Sequence, residues 1–140
     1  MRLVAVISVV AIALAGCGGG DDDSNPTNDP RLEDAAAVYA EIRGLTDKQQ
    51  IERVGAAWAA AFSSGYEAMC DYVHPDVAAG CPEYLVSADA RLKRSYAGRR
   101  VASVAIDGRG AVARFSNGER VDFKQDPNDR WMVVSIPRAG

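Results

Sequence analysis

The sequence has few of the residues that usually carry catalytic or metal chemistry. Its 140 residues include a single histidine, His74, and three cysteines. A histidine dyad is therefore excluded, and a general base at His74 would need Asp71 or Asp76 to orient its ring. Asp71 is predicted on the same short helix, at a poor angle, and we expect Asp76 to accept hydrogen bonds from turn amides. The sequence predicts a capping or surface role for His74, with general-base catalysis as the alternative, and we assign no catalytic residue.

A large excess of charge of one sign is also lacking. The chain has 16 Lys and Arg against 19 Asp and Glu, a net charge of −3. The 110 residues after Pro30 carry 15 basic and 15 acidic side chains, so the imbalance lies before them. Nucleic-acid-binding domains usually carry a basic excess, and this region has none. Its length suits one domain with its own core, and we predict a single domain over residues 31–140.

No uncharged run at the start of the chain is long enough to span a bilayer. Leu3 to Ala15 contains one polar residue, Ser8, and follows Arg2. As a helix these residues would extend about 20 Å, whereas the hydrocarbon layer is about 30 Å thick. A basic start followed by a short apolar run is typical of a secretory signal.

The end of that run, Leu14-Ala15-Gly16-Cys17, resembles the lipobox of bacterial lipoproteins. In that family the cysteine thiol receives a diacylglycerol and a peptidase cuts just before the cysteine. The resemblance implies a signal peptide over residues 1–16, lipidation of Cys17, and attachment to membrane lipid on the outer face of the bacterial cell membrane, in an extracytoplasmic location. An ordinary secretory signal with an incidental cysteine is the alternative.

Residues 17–30 are predicted to be the lipidated cysteine followed by a disordered tether. From Gly18 to Pro30 the chain has no aliphatic or aromatic side chain to bury. Such a segment cannot offset the entropy that ordering would remove. The run Asp21-Asp22-Asp23 could suggest a calcium site, but it lacks the spaced ligands and the turn glycine of a calcium loop. We expect no metal and no cofactor.

Four helices are predicted in the first half of the domain. Asp29 and Pro30 predict the start of the first helix, which ends at Gly44. Thr46 and Gln49 have the spacing of a capping box, and an apolar stripe from Ile51 to Phe62 follows in a helix predicted to end near Gly65. A third helix is expected from Tyr66 to Val73, ending before the His74-Pro75 step. The fourth is predicted from Pro82 to Tyr96.

After Gly98 the hydrophobic period changes from helical to alternating, and four strands are predicted. We favour a three-residue loop with a glycine bulge, Ser116-Asn117-Gly118, for the middle hairpin rather than a two-residue turn. The loop pairs Ala113 with Val121 and puts the apolar residues of both strands on one face. The predicted strands are Val101 to Ile106, Ala111 to Ser116, Arg120 to Lys124 and Trp131 to Ile136.

Helices followed by an antiparallel meander predict an α+β fold, with the helices packed on one face of a curved four-stranded sheet. At residues 47–137 this layout resembles the nuclear transport factor 2-like superfamily of SnoaL-like, cystatin-like cone proteins. The features that match are the helix Ile51 to Ser63, Gly65, the segment Tyr72-Val73-His74-Pro75-Asp76-Val77 and the strand that starts at Trp131. That superfamily includes isomerases and dehydratases as well as non-catalytic binding domains, so the fold does not decide the function.

The chain departs from the enzymes of that superfamily after the His-Pro-Asp segment. They tend to place an acid or a histidine on the following strand, where this chain has Ala78-Ala79-Gly80-Cys81-Pro82. With Cys17 assigned to lipid, Cys70 and Cys81 are expected to form a disulfide outside the cytoplasm. A nucleophilic Cys70 activated by His74, a metal site of Cys70, His74 and Cys81, and free thiols are the alternatives.

Five side chains are candidates for a pocket or ligand site between sheet and helices, although tyrosines buried for packing alone are an alternative. They are Tyr66, Tyr72, His74, Tyr84 and Tyr96. The densest basic run is expected to face solvent, with contact to an anionic lipid or ligand as the alternative. It comprises Arg91, Lys93, Arg94, Arg99 and Arg100.

These patterns predict a membrane-anchored, non-catalytic domain that binds a partner protein or an envelope component. A homodimer through the sheet is included in this prediction, and apolar residues such as Val112, Trp131 and Val133 exposed on one sheet face would favour it. A cone that binds a small molecule is the second hypothesis. An isomerase or dehydratase is the third.

Overall fold

A computed structural model describes residues 33–135. The predicted signal peptide, Cys17, the tether, the Asp29-Pro30 helix start and Ile136 lie outside the described residues. The helices are α1 (Ala35–Glu41), α2 (Asp47–Ser64), a 3₁₀ helix (Glu67–Tyr72), α3 (Pro75–Ala78), α4 (Cys81–Ser87) and α5 (Ala90–Ser95). The strands are β1 (Val101–Asp107), β2 (Gly110–Phe115), β3 (Arg120–Gln125) and β4 (Trp131–Val133).

The longest helix, α2, has the ends that the sequence predicts. The Thr46 side chain accepts from the Gln49 amide and the Gln49 side chain accepts from the Thr46 amide, which completes the capping box. Gly65 ends the helix in the left-handed conformation, with φ of 71°. Between these ends the apolar stripe is buried, including Trp58 and Phe62 at 0% exposure.

Within the described residues the first helix begins at Ala35 and is capped by Asp34. The Asp34 side chain accepts from the Ala36 amide, and residues 33 and 34 are not helical. The guanidinium group of Arg53 on α2 pairs with Glu33 and with Glu41, and the Glu41 contact is 3.0 Å long. These pairs and the buried side chain of Val38 hold α1 against α2.

The segment between α2 and the sheet contains more helices, and shorter ones, than predicted. The third helix is 3₁₀ rather than α, and the short helix α3 after His74 was not predicted. The predicted fourth helix is two helices, because the Asp89 carboxylate accepts from the amides of Arg91 and Leu92 and caps a new start. A disulfide with Sγ atoms 2.10 Å apart joins Cys70 of the 3₁₀ helix to Cys81 of α4.

The sheet is an open antiparallel meander in the order β1-β2-β3-β4. The three-residue loop is confirmed, since Ala113 pairs with Val121 and the Phe115 amide donates to the Glu119 carbonyl at 2.8 Å. Gly118 has the positive φ, 87°, that the bulge requires. The predicted faces are also confirmed, with Phe115, Ala113, Ala111, Val121 and Phe123 buried on the inner face.

The helices cover the inner face of this sheet, and α2 crosses it at Gly55. A Cβ atom at Gly55 would lie 2.6 Å from Cγ2 of Val101 and 3.3 Å from Cζ of Phe115, so only glycine permits this close approach. Trp131 and Val133 of β4 also face inward and are fully buried. The apolar patch that would have joined them to Val112 is therefore absent, because Val112 lies on the outer face.

Candidate functional site

His74 is buried and acts as a helix cap. Its Nδ1 accepts a 3.1 Å hydrogen bond from the Asp76 amide at the start of α3, and its side chain is 5% exposed. The Asp76 carboxylate lies 3.5 Å from Nδ1 and 3.1 Å from Nζ of Lys124, so it does not accept from the turn amides as predicted. The predicted capping role is confirmed, whereas the predicted alternative of a surface position is wrong, because the side chain is buried. This arrangement uses the Nδ1 lone pair that a general base would need.

The four predicted pocket tyrosines fall into separate contacts. Tyr84 and Tyr96 both pack on Phe62, with ring centroids 6.2 and 5.3 Å away. Tyr72 lies beside Tyr39 instead, and its hydroxyl donates to the Glu33 carbonyl at 2.9 Å. Tyr66 is half-buried at the edge of the core. None of the four, nor His74, lines either cavity described below.

One buried hydroxyl of this group has no partner among the described residues. Tyr96 is fully buried in an edge-to-face cluster with Trp58 and Phe115, and no hydrogen bond to its hydroxyl or to Nε1 of Trp58 is made within residues 33–135. Burial raises the pKa of the Tyr96 hydroxyl well above its ordinary value. The phenol thus stays neutral, as a packing group requires.

The first cavity is a cleft of about 520 Å³ between α1 and the β3–β4 loop, which the sequence did not predict. Tyr39 forms its floor, and the Arg130 guanidinium carbon lies 5.2 Å above the centre of the Tyr39 ring. The small side chains of Ala36 and Ala40 on α1 line one wall, and Arg43 lies at the edge of the cleft. No carboxylate within residues 33–135 pairs with Arg43, whereas Arg130 is paired with Asp126 at 2.7 Å.

Asp126 organises the loop on the other wall of this cleft. Its carboxylate accepts from the amides of Asn128 and Arg130, each at 2.9 Å, and from the Arg130 side chain. Burial alone would raise the pKa of Asp126, but the hydrogen bonds from Arg130 and Asn128 outweigh it and lower the pKa. The spacing of Asp126 and Arg130, four residues across a proline turn, is the only sequence signal for this contact.

The second cavity is a shallow groove of about 380 Å³ beside β1, the edge strand of the sheet. It runs past Ala105 and Gly110, where glycine leaves the outer face open. Ile106 is 43% exposed at the same place. The other exposed large hydrophobic residues of the described part, Leu45 and Val86, lie on the helical side of the molecule.

The β1 edge has two features that protect edge strands, the bulge between Val101 and Ser103 and the charge of Asp107 at its end, but the residues between them have neither. Val101 to Ile106 has no charge and no proline, and within residues 33–135 no strand pairs with its outer side. Natural edges usually carry a lysine, a proline or a covering segment that prevents another strand from adding. The residues Ala102, Ser103, Ala105 and Ile106 are exposed. This edge can therefore accept another extended chain.

The described residues contain no obvious cofactor or metal centre. Within residues 33–135 no group of three or more His, Cys, Asp or Glu side chains could hold a metal ion. Of the basic run, Lys93 is half-buried and the other four members are exposed, as predicted. None of the helices in this range combines the length and the apolarity that a membrane crossing needs. Comparisons with protein families, curated proteins and solved structures give no match to this chain.

Proposed function

We propose that this chain is a lipid-anchored extracytoplasmic protein whose domain binds another protein through the free β1 edge. The observation that carries this proposal is the regular stretch 103–106 of β1, which no strand of the described residues covers and which includes the exposed Ile106. Backbone groups on such an edge supply affinity, and the adjacent groove supplies side-chain selectivity. The proposal has two other parts, which are lipidation at Cys17 and the resemblance to cone-shaped binding domains.

The position of the edge also suits a tethered binder. Helix α1, which follows the proposed tether, contacts β4 through the Tyr39 hydroxyl, which donates to the Trp131 carbonyl at 3.0 Å. The edge of β1 is three strand spacings away, about 14 Å across the sheet. A partner can therefore reach β1 without displacing α1.

The charges of the described domain support binding rather than catalysis. The carboxylates with lowered pKa values, Glu41 and Asp126, are held by ion pairs and hydrogen bonds to arginine. The raised pKa values of Tyr39, Tyr72 and Tyr96 follow first from burial. Each of these shifts has a structural cause, and Tyr39, which lines the cleft, has its hydroxyl bonded to the Trp131 carbonyl.

Photo-cross-linking in intact cells tests the binding surface. A photoreactive amino acid at Ile106 is expected to give light-dependent protein adducts. The same amino acid at Lys48, which is exposed on α2, is the control and should give none. Equal adducts from both positions, or none from position 106, would overturn the proposed surface.

Lipidation is tested separately with Cys17→Ser. We expect the natural chain to fractionate with membranes and to carry the mass of a diacylglycerol, and the variant to lack that mass. Cys70→Ser with Cys81→Ser in the same assay is the control, because these residues form the internal disulfide. A natural chain that lacks the mass of a diacylglycerol would remove the anchor from the proposal.

The cleft beside α1 supports a second candidate function, the binding of a small anionic molecule. Its volume lies within the usual range for ligand sites, and the Arg43 guanidinium at its rim is unpaired within residues 33–135. Native mass spectrometry of protein purified without denaturation tests this candidate. A bound small mass that is lost in Arg43→Ala would support it, and a bare chain would exclude it.

A further inference from the structure

We propose that the chain bound at the β1 edge is a second copy of this protein, paired antiparallel about Ala105, so that two four-stranded sheets join into one of eight strands. This inference rests on the proposed function and names its partner. It follows from the hydrogen-bonding directions of β1, from the self-complementary side chains of the strand and from the position of its bulge.

The pattern of the neighbouring strands shows which backbone groups of β1 are free. The Phe115 amide bonds to the Glu119 carbonyl, so alternate residues of β2 bond to β3 and the residues between them bond to β1. Ala105 pairs with Val112, one of the residues that bond to β1. The amide and carbonyl groups of Val104 and Ile106 consequently point away from the sheet, toward the free edge.

A two-fold axis at Ala105 matches these free groups with each other. Val104 of one copy then lies opposite Ile106 of the second copy, and the two pairs form four backbone hydrogen bonds. Both side chains are on the inner face, where a valine–isoleucine cross-strand pair is favourable. At the axis, Ala105 of one copy lies opposite Ala105 of the other. Because alanine is small and uncharged, the two side chains neither clash nor repel each other. Ser103 lies opposite Asp107, so no charge faces itself.

The charge at the ends of β1 also favours an antiparallel second copy. Arg99 and Arg100 precede the strand and are exposed, and Asp107 closes it. Antiparallel pairing brings Asp107 of one copy toward the basic end of the other, and the charge of the neighbouring Arg109 is already paired with Asp129, whereas parallel pairing would bring like charges together. The same patch on both subunits is the arrangement that closed two-fold dimers use.

The bulge in β1 limits the pairing to the part that is symmetric about Ala105. The β1–β2 register shifts between Val101 and Ser103, which leaves Ser103 to Asp107 as the regular stretch. Five residues centred on Ala105 form a ladder without including the bulge. So short an edge buries less than the roughly 1,200 Å² of a stable interface, so the dimer is weak in free solution. Anchoring both copies in one membrane raises their effective concentration.

Cysteine cross-linking of the full-length, membrane-bound chain tests the pairing. In the proposed register the two Ala105 residues form a non-hydrogen-bonded pair with Cα atoms about 4.5 Å apart, within disulfide range. We expect Ala105→Cys to give a reducible band of twice the monomer mass under mild oxidation. Lys124→Cys is the matched control, because position 124 is exposed on the same outer face but lies on β3. Equal cross-linking of the two variants would mean random collision and would overturn the inference.

A second substitution tests the hydrogen bonds. Proline at position 106 removes an amide that faces the free edge and leaves the β1–β2 ladder intact. Ile106→Pro in both copies removes two of the four bonds, and we expect dimerisation of Ala105→Cys to weaken about thirtyfold. Circular dichroism should show the fold of the proline variant unchanged. Undiminished cross-linking in a folded proline variant would overturn the proposed register.

The two proposals fail in different ways. If the photoreactive group at position 106 captures other proteins and Ala105→Cys stays monomeric, the second copy is excluded and the binding surface stands. If position 106 gives no adduct and Ala105→Cys gives no dimer, both are overturned. Adducts at position 106 with the mass of two copies, together with the Ala105→Cys dimer, support both.

Discussion

The indole Nε1 of Trp131 donates a 3.0 Å hydrogen bond to Oδ1 of Asp47, and so joins the last strand of the sheet to the first turn of α2. Trp131 is fully buried, and its carbonyl also accepts from the Tyr39 hydroxyl. One residue of β4 thereby holds both α1 and α2. Three elements that are far apart in sequence depend on its two polar groups.

The Trp131–Asp47 bond gives the first prediction. Asp47→Ala leaves the indole N–H of Trp131 without its acceptor and should lower the free energy of unfolding by about 1–2 kcal/mol. Asp47→Asn retains an acceptor oxygen and should lose less. Urea unfolding followed by tryptophan fluorescence measures both. If alanine and asparagine had the same effect, the hydrogen bond would contribute nothing to stability.

Two buried tyrosines with different partners give the second prediction. Tyr39→Phe removes the donor to the Trp131 carbonyl and should cost about 1 kcal/mol. Tyr96→Phe removes a buried hydroxyl that has no partner within residues 33–135, and it should leave stability unchanged or raise it. Thermal unfolding of the two variants compares them directly. A Tyr96→Phe variant that loses as much as Tyr39→Phe would show that the Tyr96 hydroxyl does have a partner.

The close approach of α2 to the sheet gives the third prediction. Gly55→Ala should destabilise the domain by about 1–3 kcal/mol, even though alanine favours the helix, because its methyl group overlaps Val101. Val101→Ala removes the clashing Cγ2 atom, so the double variant should lose less than the sum of the two single losses. Simple additivity of the three unfolding free energies would contradict this explanation.

The disulfide between Cys70 and Cys81 gives the fourth prediction. Cys70 and Cys81 are 11 residues apart, and a loop of that length contributes about 2.5–3 kcal/mol by chain entropy. Replacing both by serine should lower the unfolding free energy by that amount. Adding reductant to the natural chain should have a similar effect and none on the double variant. Mass spectrometry should show a gain of two hydrogens on reduction.

The lowered pKa of Asp126 gives the fifth prediction. Stability from this carboxylate is complete above its unfolded pKa of about 3.9 and is lost as pH falls through the lower folded value. Asp126→Asn should be less stable at pH 7 and should respond less to acid below pH 4. Asp129→Asn is the control, since its exposed pair with Arg109 contributes little. Urea midpoints from pH 2 to pH 7 test both, and parallel curves for Asp126→Asn and the natural chain would contradict the assignment.

Local signals made part of this fold predictable. The capping box at Thr46 and the left-handed Gly65 are decided by neighbouring residues, so both ends of α2 follow from sequence. The register of the β2–β3 hairpin follows because a slip of one residue would turn Phe123 out of the core. In these places the local preference and the tertiary packing agree.

The remaining features depend on competition or on distant partners. The break before α5 arises because Asp89 caps a new helix within a continuous apolar period, and periodicity alone does not show which preference prevails. The cleft brings Tyr39 together with Arg130, which are 91 positions apart. No local signal in the sequence predicts that contact. The edge position of β1, by contrast, follows from the predicted antiparallel meander, whose first strand lies at one side of the sheet.

The contacts of α1 also decide how the domain responds to mechanical load. A force applied to the residues before Glu33 is transmitted first to α1. The Arg53 ion pairs and the Tyr39 and Tyr72 hydroxyls hold α1 and the residues before it in place. These side-chain contacts bear the force before any strand pair does. Helix α1 therefore acts as the first element to yield under tension, while the sheet and its free edge keep their shape.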